Sequence, residues 1–390
     1  MTYNKAVELS RRCAHKAPPL KALRTQCLRG PFVEKRPFLA EVPGEVRDAA
    51  LRDFDKAIRA ERAKARRARA EKKKKGPHKP ATFQFRSRRD ALQCIEIRHR
   101  DWNRSRGMFA ALFSPTAMRS SEPLPDVMEA AFRVTLNRLG VIHICYPVRV
   151  EPVWAVAGGQ GGDSQAPVSY PADKDGKHVI RQPQRSAGDH SVMALDPGVR
   201  TFMTGYSADG LVVEWGAGDM KRIHALCRFA DRLHGDKGVD RQKRRRLRRA
   251  WLRMLERVRN LVDEVHRKLA KWLVTSYRVV LLPEFETARM CRRGVRGIGS
   301  KVVRGMLTWA HYRFRQALLA KAELYPDCRV VVCDEAYTSK TCGQCGEINH
   351  KLGGSKVFRC RPCGYTASRD VSAARNILLR YLTLHGIPCL

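Results

Sequence analysis

The chain has 390 residues, with 76 Lys and Arg against 38 Asp and Glu, a formal net charge of +38. That excess is beyond what solubility requires and points to a polyanionic partner, nucleic acid before an anionic membrane. No stretch approaches the roughly 18 apolar residues of a membrane span and no signal peptide opens the sequence, so no membrane partner is expected. The thirteen cysteines, four of them at metal spacing, suit a reducing compartment better than a disulfide framework.

Residues 1–80 read as helical and basic. In the segment from Val42 to Lys75, Val46, Ala49, Ala50, Phe54 and Ile58 fall near one helical face. Beyond Ile58 the apolar stripe fades into charge, and Gly76-Pro77 ends the helix. Residues 81–155 change period. FQFRSRR, LQCIEIRH and the pair FRVTL and VIHICYPVRV alternate apolar with polar side chains, predicting a small antiparallel sheet or barrel. Residues 156–188 are rich in Gly, Pro and polar residues and read as a linker.

At 191 an apolar strand begins, predicting a β-hairpin whose first strand carries Asp196. Residues 218–275 are predicted largely helical, with the basic run RQKRRRLRR (241–249) in front. Trp251, Leu255, Val258, Val262, Val265, Leu269 and Trp272 lie at helical spacing and read as core rather than as a base-stacking platform. RVVLLPEFE (278–286) predicts a short strand, residues 303–325 one amphipathic helix, and CRVVVCDEAYTSK (328–340) a second strand. This order is an α/β layout. Asp196, Glu284 and Glu335 all fall at or just past strand ends, where open α/β sheets gather their sites.

Cys342 and Cys345, then fourteen residues, then Cys360 and Cys363 form two CxxC knuckles, spaced for a tetrahedral structural Zn²⁺. Gly343, Gly346 and Gly364 are expected where the knuckle backbones turn tightly. Asp370 then opens a predicted helix. Asp196 and Asp370 are candidate carboxylates for Mg²⁺, a hard, oxygen-seeking cation that serves phosphodiester cleavage in pairs. Each also has a plainer reading, Asp196-Pro197-Gly198 as a turn and Asp370 as a helix N-cap.

LDPGVRTFMT (195–204), LLPEFE, the TSKTCGQCG and CRPCG knuckles, and SRDVSAARNILLR together resemble the RuvC-like nuclease core of the TnpB/Fanzor proteins. These are transposon-encoded RNA-guided DNA endonucleases related to type V CRISPR effectors. YNKAVE, EVPGEVRDAALRDFDKA and RLGVIHICYPV extend the resemblance more weakly toward the N-terminus. It implies an RNase-H-like (RuvC) core with an inserted zinc ribbon, a small β-barrel (wedge) and a helical recognition lobe. On that pattern 1–80 is recognition-lobe-like, 81–155 wedge-like, and 189–337 with 366–390 the nuclease. The ribbon, 338–365, would bind target nucleic acid.

The resemblance further implies structural Zn²⁺, catalytic Mg²⁺, a guide RNA (omega RNA) and target DNA as partners, and a monomeric ribonucleoprotein. It would work in the nucleus of a eukaryote, otherwise in the cytoplasm or nucleoid. The family's usual glutamate at the end of the strand matching RVVLL is here Pro283, with Glu284 one residue off. Fanzor-like members often carry it on the neighbouring strand, where this chain has Glu335. The implied ligands are therefore Asp196, Glu335 and Asp370, with Glu284 the alternative to Glu335. The usual DRDxNAAxN motif reads SRDVSAARN here, and the wedge strand that normally precedes YNKAVE is not in the sequence, so an incomplete barrel is expected. Two other readings stay open: an RNA-guided DNA-binding protein without cleavage, and a guide-independent zinc-ribbon protein.

Overall fold

The computed structural model describes all residues except 13–17, 30, 71–82, 84, 88–89, 91, 104–106, 109–119, 154–191, 236–237, 239, 295–296, 335, 351–352, 354 and 386–390. The predicted linker thus lies outside the described residues, and so does Glu335. The described chain forms two compact units, Met1–Arg149 and Val150–Leu390.

The first unit opens with helices α1 (Thr2–Arg12), α2 (Leu20–Leu28), α3 (Pro31–Glu34) and α4 (Gly44–Ala70). Its strands are β1 (Leu92–Ile97), β2 (Trp102–Asn103), β3 (Gly107–Met108), β4 (Phe132–Asn137) and β5 (Ile142–Cys145). The α4 stripe is wider than the sequence suggests. Leu51 is fully buried beside Ala49, Phe54 and Ile58, whereas Val46 and Ala50 are half-buried. Tyr3 and Phe83 meet the Phe54 ring edge-on. Asp48, on the same helix, is buried among Arg24, Arg52 and Arg98 at 2.7, 3.4 and 3.1 Å. A carboxylate taken out of water persists only with such partners, and this one ties α4 to α2 and to the end of β1. The predicted β4–β5 hairpin forms, and β1 adds to it antiparallel to give a three-stranded sheet.

The second unit is built on a five-stranded sheet of order β10-β9-β6-β7-β8. Strands β6 (Val192–Pro197), β7 (Met203–Ser207) and β8 (Val212–Trp215) form an antiparallel meander. Then β9 (Val279–Pro283) and β10 (Arg329–Cys333) add in parallel on the far side of β6. Helices α5 (Asp219–Gly235) and α6 (Arg241–Ser276) cross from β8 to β9, and α7 (Thr287–Met290), α8 (Ser300–Trp309) and α9 (His311–Ala322) lead to β10. Strands β11 (Val357–Arg359) and β12 (Thr366–Ser368) then precede the last helix, α10 (Arg369–Leu384).

Period-2 alternation divides the sheet's side chains between two cores. Met193, Leu195, Val280 and Leu282 join α5, α6, α8 and α9 through Val262, Leu269, Leu273, Trp309 and Phe314. Val192, Ala194 and Leu281 face α10 through Ile377 and Leu378. The α6 stripe is buried from Val258 onward, while Trp251 packs at its margin against His234.

The single helix expected over 303–325 is two. Ala310 has φ 51 and ψ 53, a left-handed backbone that ends α8 and starts α9. The cause lies in the tertiary packing. Trp309 and Phe314 are both fully buried and both touch Phe202. On a straight helix, residues five apart would point about 140° away from each other. The break lets both face inward, with the Trp309 carbonyl accepting from buried His266 Nε2 at 2.9 Å and Trp309 Nε1 donating to the Val199 carbonyl at 2.9 Å. A left-handed alanine carries roughly 1–2 kcal/mol of steric cost. Ala310→Gly removes that cost and gives back about 0.4–1 kcal/mol through a more flexible unfolded chain. Net stabilisation of about 0.5–1 kcal/mol is expected, a rise of about 2–3 °C in Tm by calorimetry for a unit of this size.

Candidate zinc ribbon and acidic face

Between β10 and α10 the chain makes two matching knuckles. The Cys342 N–H donates to the Glu347 carbonyl at 2.8 Å and the Gly346 N–H to the Cys342 carbonyl at 3.0 Å. Cys360 repeats the pattern with Tyr365 and Gly364 at 2.8 and 3.1 Å. Gly346 (φ 78) and Gly364 (φ 73) take the left-handed turn that the knuckles demand. The four sulfurs lie within 4.8 Å of one another, Cys342 to Cys363 at 3.7 Å and Cys345 to Cys360 at 3.5 Å. Zn–S bonds of about 2.3 Å at tetrahedral angles place sulfurs about 3.8 Å apart, so the donor set fits a structural zinc. Cys342 and Cys360 are buried around Phe358. Burial pushes the Cys342 thiol up, but the N–H groups of Cys345 and Gln344 and the neighbouring thiols outweigh it and bring it down to about 7. Cys345 and Cys360 go the other way: the backbone N–H groups of Glu347 and Cys363 pull them down, but burial and the neighbouring thiols outweigh that, so Cys342 is the readiest thiolate of the three.

Gly343 is a glycine for a different reason from the one expected. It has no left-handed backbone; a Cβ there would stand 2.6 Å from Arg375 Nη1 and 2.7 Å from Asn376 Oδ1. The close neighbour is α10. Arg375 donates to the Gly343 carbonyl at 2.8 Å, and buried Asn376 donates to the carbonyls of Thr338 and Thr341 at 2.8 and 2.7 Å. Arg380 reaches the Ala336 carbonyl at 2.6 Å and Asp334 at 2.8 Å. At the helix start, the Arg369 N–H meets the Lys356 carbonyl and its guanidinium the Gly353 carbonyl, at 2.8 and 2.9 Å. Sequence reasoning missed Arg375, Asn376 and Arg380. The available signal was Asn376, a polar residue inside the apolar stripe of Ala373, Ala374 and Ile377.

Asp196 is the penultimate residue of β6, the middle strand of the sheet, and is half-buried. It continues the alternation of Val192 and Ala194, so it lies on the face that α10 covers. Asp370 is half-buried in the first turn of α10, a helix that packs on β6 and β7. The N-cap is Ser368, which sets aside the plain capping role for Asp370. The two predicted aspartates thus lie on the same side of the sheet, one on β6 and one on the helix that covers it. Glu284 does not. It follows Val280 and Leu282 onto the opposite face, is 63% exposed, and pairs with Arg315 of α9 at 3.6 Å. Continuing the β6–β9 register by two residues puts Pro283 level with Asp196. Among the described residues, only the four cysteines form a cluster of three or more metal-ligating side chains.

A family model described as the Cas12f1-like TNB domain matches residues 311–377, from α9 through the ribbon into α10. A putative transposase, A625R of Paramecium bursaria Chlorella virus 1, is 36% identical over 200 residues, 49% of this chain and 44% of that protein. TnpB-like protein L79 of Acanthamoeba polyphaga mimivirus is 28% identical over 210 residues, 52% of this chain and 38% of its own length. InsQ of Escherichia coli (strain K12), named a putative RNA-guided DNA endonuclease, is 28% identical over 208 residues, 48% of each chain. The chain therefore spans less than half the length of each of these relatives.

Proposed function

We propose, for a chain that belongs to the TnpB-like and Cas12f-like family, that it is an RNA-guided DNA endonuclease of a transposable element. The observation that carries this reading is that Asp196 and Asp370 lie on the same side of the sheet, one near the end of the middle strand and one in the first turn of the helix packed on it. Two carboxylates placed in this way suit hard cations, and the proposed ligand set is completed by Glu335. Bound Mg²⁺ would activate a water and hold the attacking and leaving oxygens of the phosphodiester. The protein's own part is to hold the carboxylates and the DNA strand in register, with the ribbon fastened to α10 beside them.

In this reading residues 189–337 and 366–390 are the RuvC-type nuclease, 338–365 its ribbon, 81–155 the wedge and 1–80 part of a recognition lobe. The guide RNA pairs with the target DNA and the protein holds the backbones. The front of α6 supports a nucleic-acid partner. RQKRRRLRR carries seven basic residues, all exposed, at the positive end of the helix dipole, capped by Asp240. In the first turn, cations such as Arg241 and Lys243 oppose the dipole by about 0.3–1 kcal/mol each, a cost that an anionic partner would offset. A monomeric ribonucleoprotein and a nuclear location in a eukaryotic host are part of the same proposal, as is the Fanzor-like position of the third carboxylate.

The test is to purify the protein from its native host, sequence any bound RNA, and assay Mg²⁺-dependent cleavage with that RNA. Recovery free of a discrete RNA would sink the guided reading. Within the site, Glu335→Ala is expected to slow single-turnover cleavage by at least about a hundred-fold, while Glu284→Ala, on the far face, stays within about three-fold of the wild type. The reverse result would move the third ligand to Glu284. One observation favours a second reading, DNA binding without cleavage: proline occupies the position beside Asp196 on β9. Loss of cleavage with retained RNA and DNA binding in the unmodified chain would decide for it.

A further inference from the structure

His311, the first residue of α9, is 4% exposed, and its ring lies in an aromatic cage. It stacks on Phe202 at 5.0 Å and meets Phe285 edge-on at 4.7 Å. At most one ring nitrogen is matched, by a loose contact with the Gly198 backbone, and the other has no hydrogen-bond partner in the protein. His266, buried against the same Phe202, differs in spending its Nε2 on the Trp309 carbonyl. A buried polar group left unmatched costs about 1–3 kcal/mol, and the usual remedy is an ordered water. His311 opens on a cavity of about 20 Å³ lined by Pro197, Leu282, Pro283, Phe285 and Arg315 as well. A single water needs about 10–15 Å³ and two to four polar partners. The polar residues on its wall are His311, Tyr312 and Arg315.

This cavity lies beneath the turn that follows Asp196. Gly198 donates to the Phe202 carbonyl at 3.1 Å, and a Cβ on Gly198 would stand 2.5 Å from the Thr201 carbonyl oxygen. The turn is therefore tightly closed above, and whatever fills the cavity supports it from below. We propose that one buried water sits there against His311 and that the pair positions the end of β6, and with it the Asp196 carboxylate. The proposal rests on the reading of Asp196 as a metal ligand. His311 is a positioning residue that acts through the Pro197–Gly198 turn and touches neither metal nor DNA. Metal sites tolerate little looseness in such support, since groups behind a ligand typically change affinity by about 10–100-fold.

The experiment uses the full chain, with His311→Phe and His311→Gln variants. A high-resolution crystal structure of the wild type is expected to show one ordered water within hydrogen-bonding distance of the imidazole. Mn²⁺ titration followed by electron paramagnetic resonance, with Asp196→Ala as the blank, is expected to show about ten-fold weaker binding in His311→Phe. Its Tm should be unchanged or raised, because phenylalanine fills the cage without an unmatched polar atom. His311→Gln, which keeps a polar end, should recover most of the affinity. A dry cavity, or a His311→Phe chain that binds Mn²⁺ as tightly as the wild type, would overturn the assignment and leave the nuclease reading standing. A wild-type chain that binds Mn²⁺ at Asp196 but cuts no DNA would sink the nuclease reading and leave the assignment of His311 in place.

Discussion

On the proposed nuclease reading, Asp196→Ala is expected to abolish cleavage, lowering the single-turnover rate by about a thousand-fold or more, with guide-RNA and target-DNA binding unchanged. The size of the effect follows from position. Asp196 stands near the end of the middle strand of five, on the face covered by α10. Its removal leaves no described carboxylate of β9 to take its place, because Pro283 is level with it and Glu284 faces α9. The fold should be indifferent, since the apolar side chains that hold this face, Val192, Ala194, Leu281, Ile377 and Leu378, are untouched. Asp370→Ala should match the loss, and the double variant should be scarcely worse than either single one, as for groups acting as a unit. Cleavage rates against filter-binding affinities for the same RNA and DNA decide the point. An Asp196→Ala chain that still cuts would remove the acidic face from the mechanism.

The second large effect is loss of the ribbon metal. One zinc per chain is expected by elemental analysis, and Cys342→Ser with Cys360→Ser should eliminate it, because a serine hydroxyl does not replace a buried thiolate ligand. Structural zinc contributes apparent binding energies of about 10–16 kcal/mol, far more than the short β11–β12 pairing can supply. Without it the knuckles lose their closure, and so do the carbonyls of Thr338, Thr341 and Gly343 that Asn376 and Arg375 hold. The expected result is a lower Tm, increased proteolysis within 338–365, and weaker Mn²⁺ binding at the acidic face. A zinc-free chain with an unchanged melting curve would show that side-chain packing alone closes the ribbon.

The parts of this molecule that could be read from the sequence were those whose cause is local. Strands β6, β9 and β10 announce themselves as apolar runs, and the cysteine pairs by a spacing with few other uses. Elsewhere the causes lie far along the chain. The break at Ala310 comes from Phe202, about a hundred residues upstream, so the amphipathic pattern over 303–325 carries no trace of it. Gly343 was expected at a turn because its partner, α10, lies more than thirty residues away. Glu284 was the exception. One residue of offset from Pro283 was enough to assign it to the other face, because strand side chains alternate strictly, and its pairing with Arg315 bears that out.

β12 ends at Ser368 and α10 begins at Arg369 with no connecting loop. The ribbon and the helix therefore share one continuous register. A single residue inserted between Thr366 and Asp370 would rotate α10 by about 100° relative to the ribbon. Either Ile377 and Leu378 would leave the sheet or Arg375 and Asn376 would leave the knuckle, and no intermediate setting satisfies both. Between the two knuckles, by contrast, an added residue changes the length of a link and not the phase of a helix. The junction at 366–370 thus acts as a ruler for the chain, and length variation belongs on the other side of the ribbon.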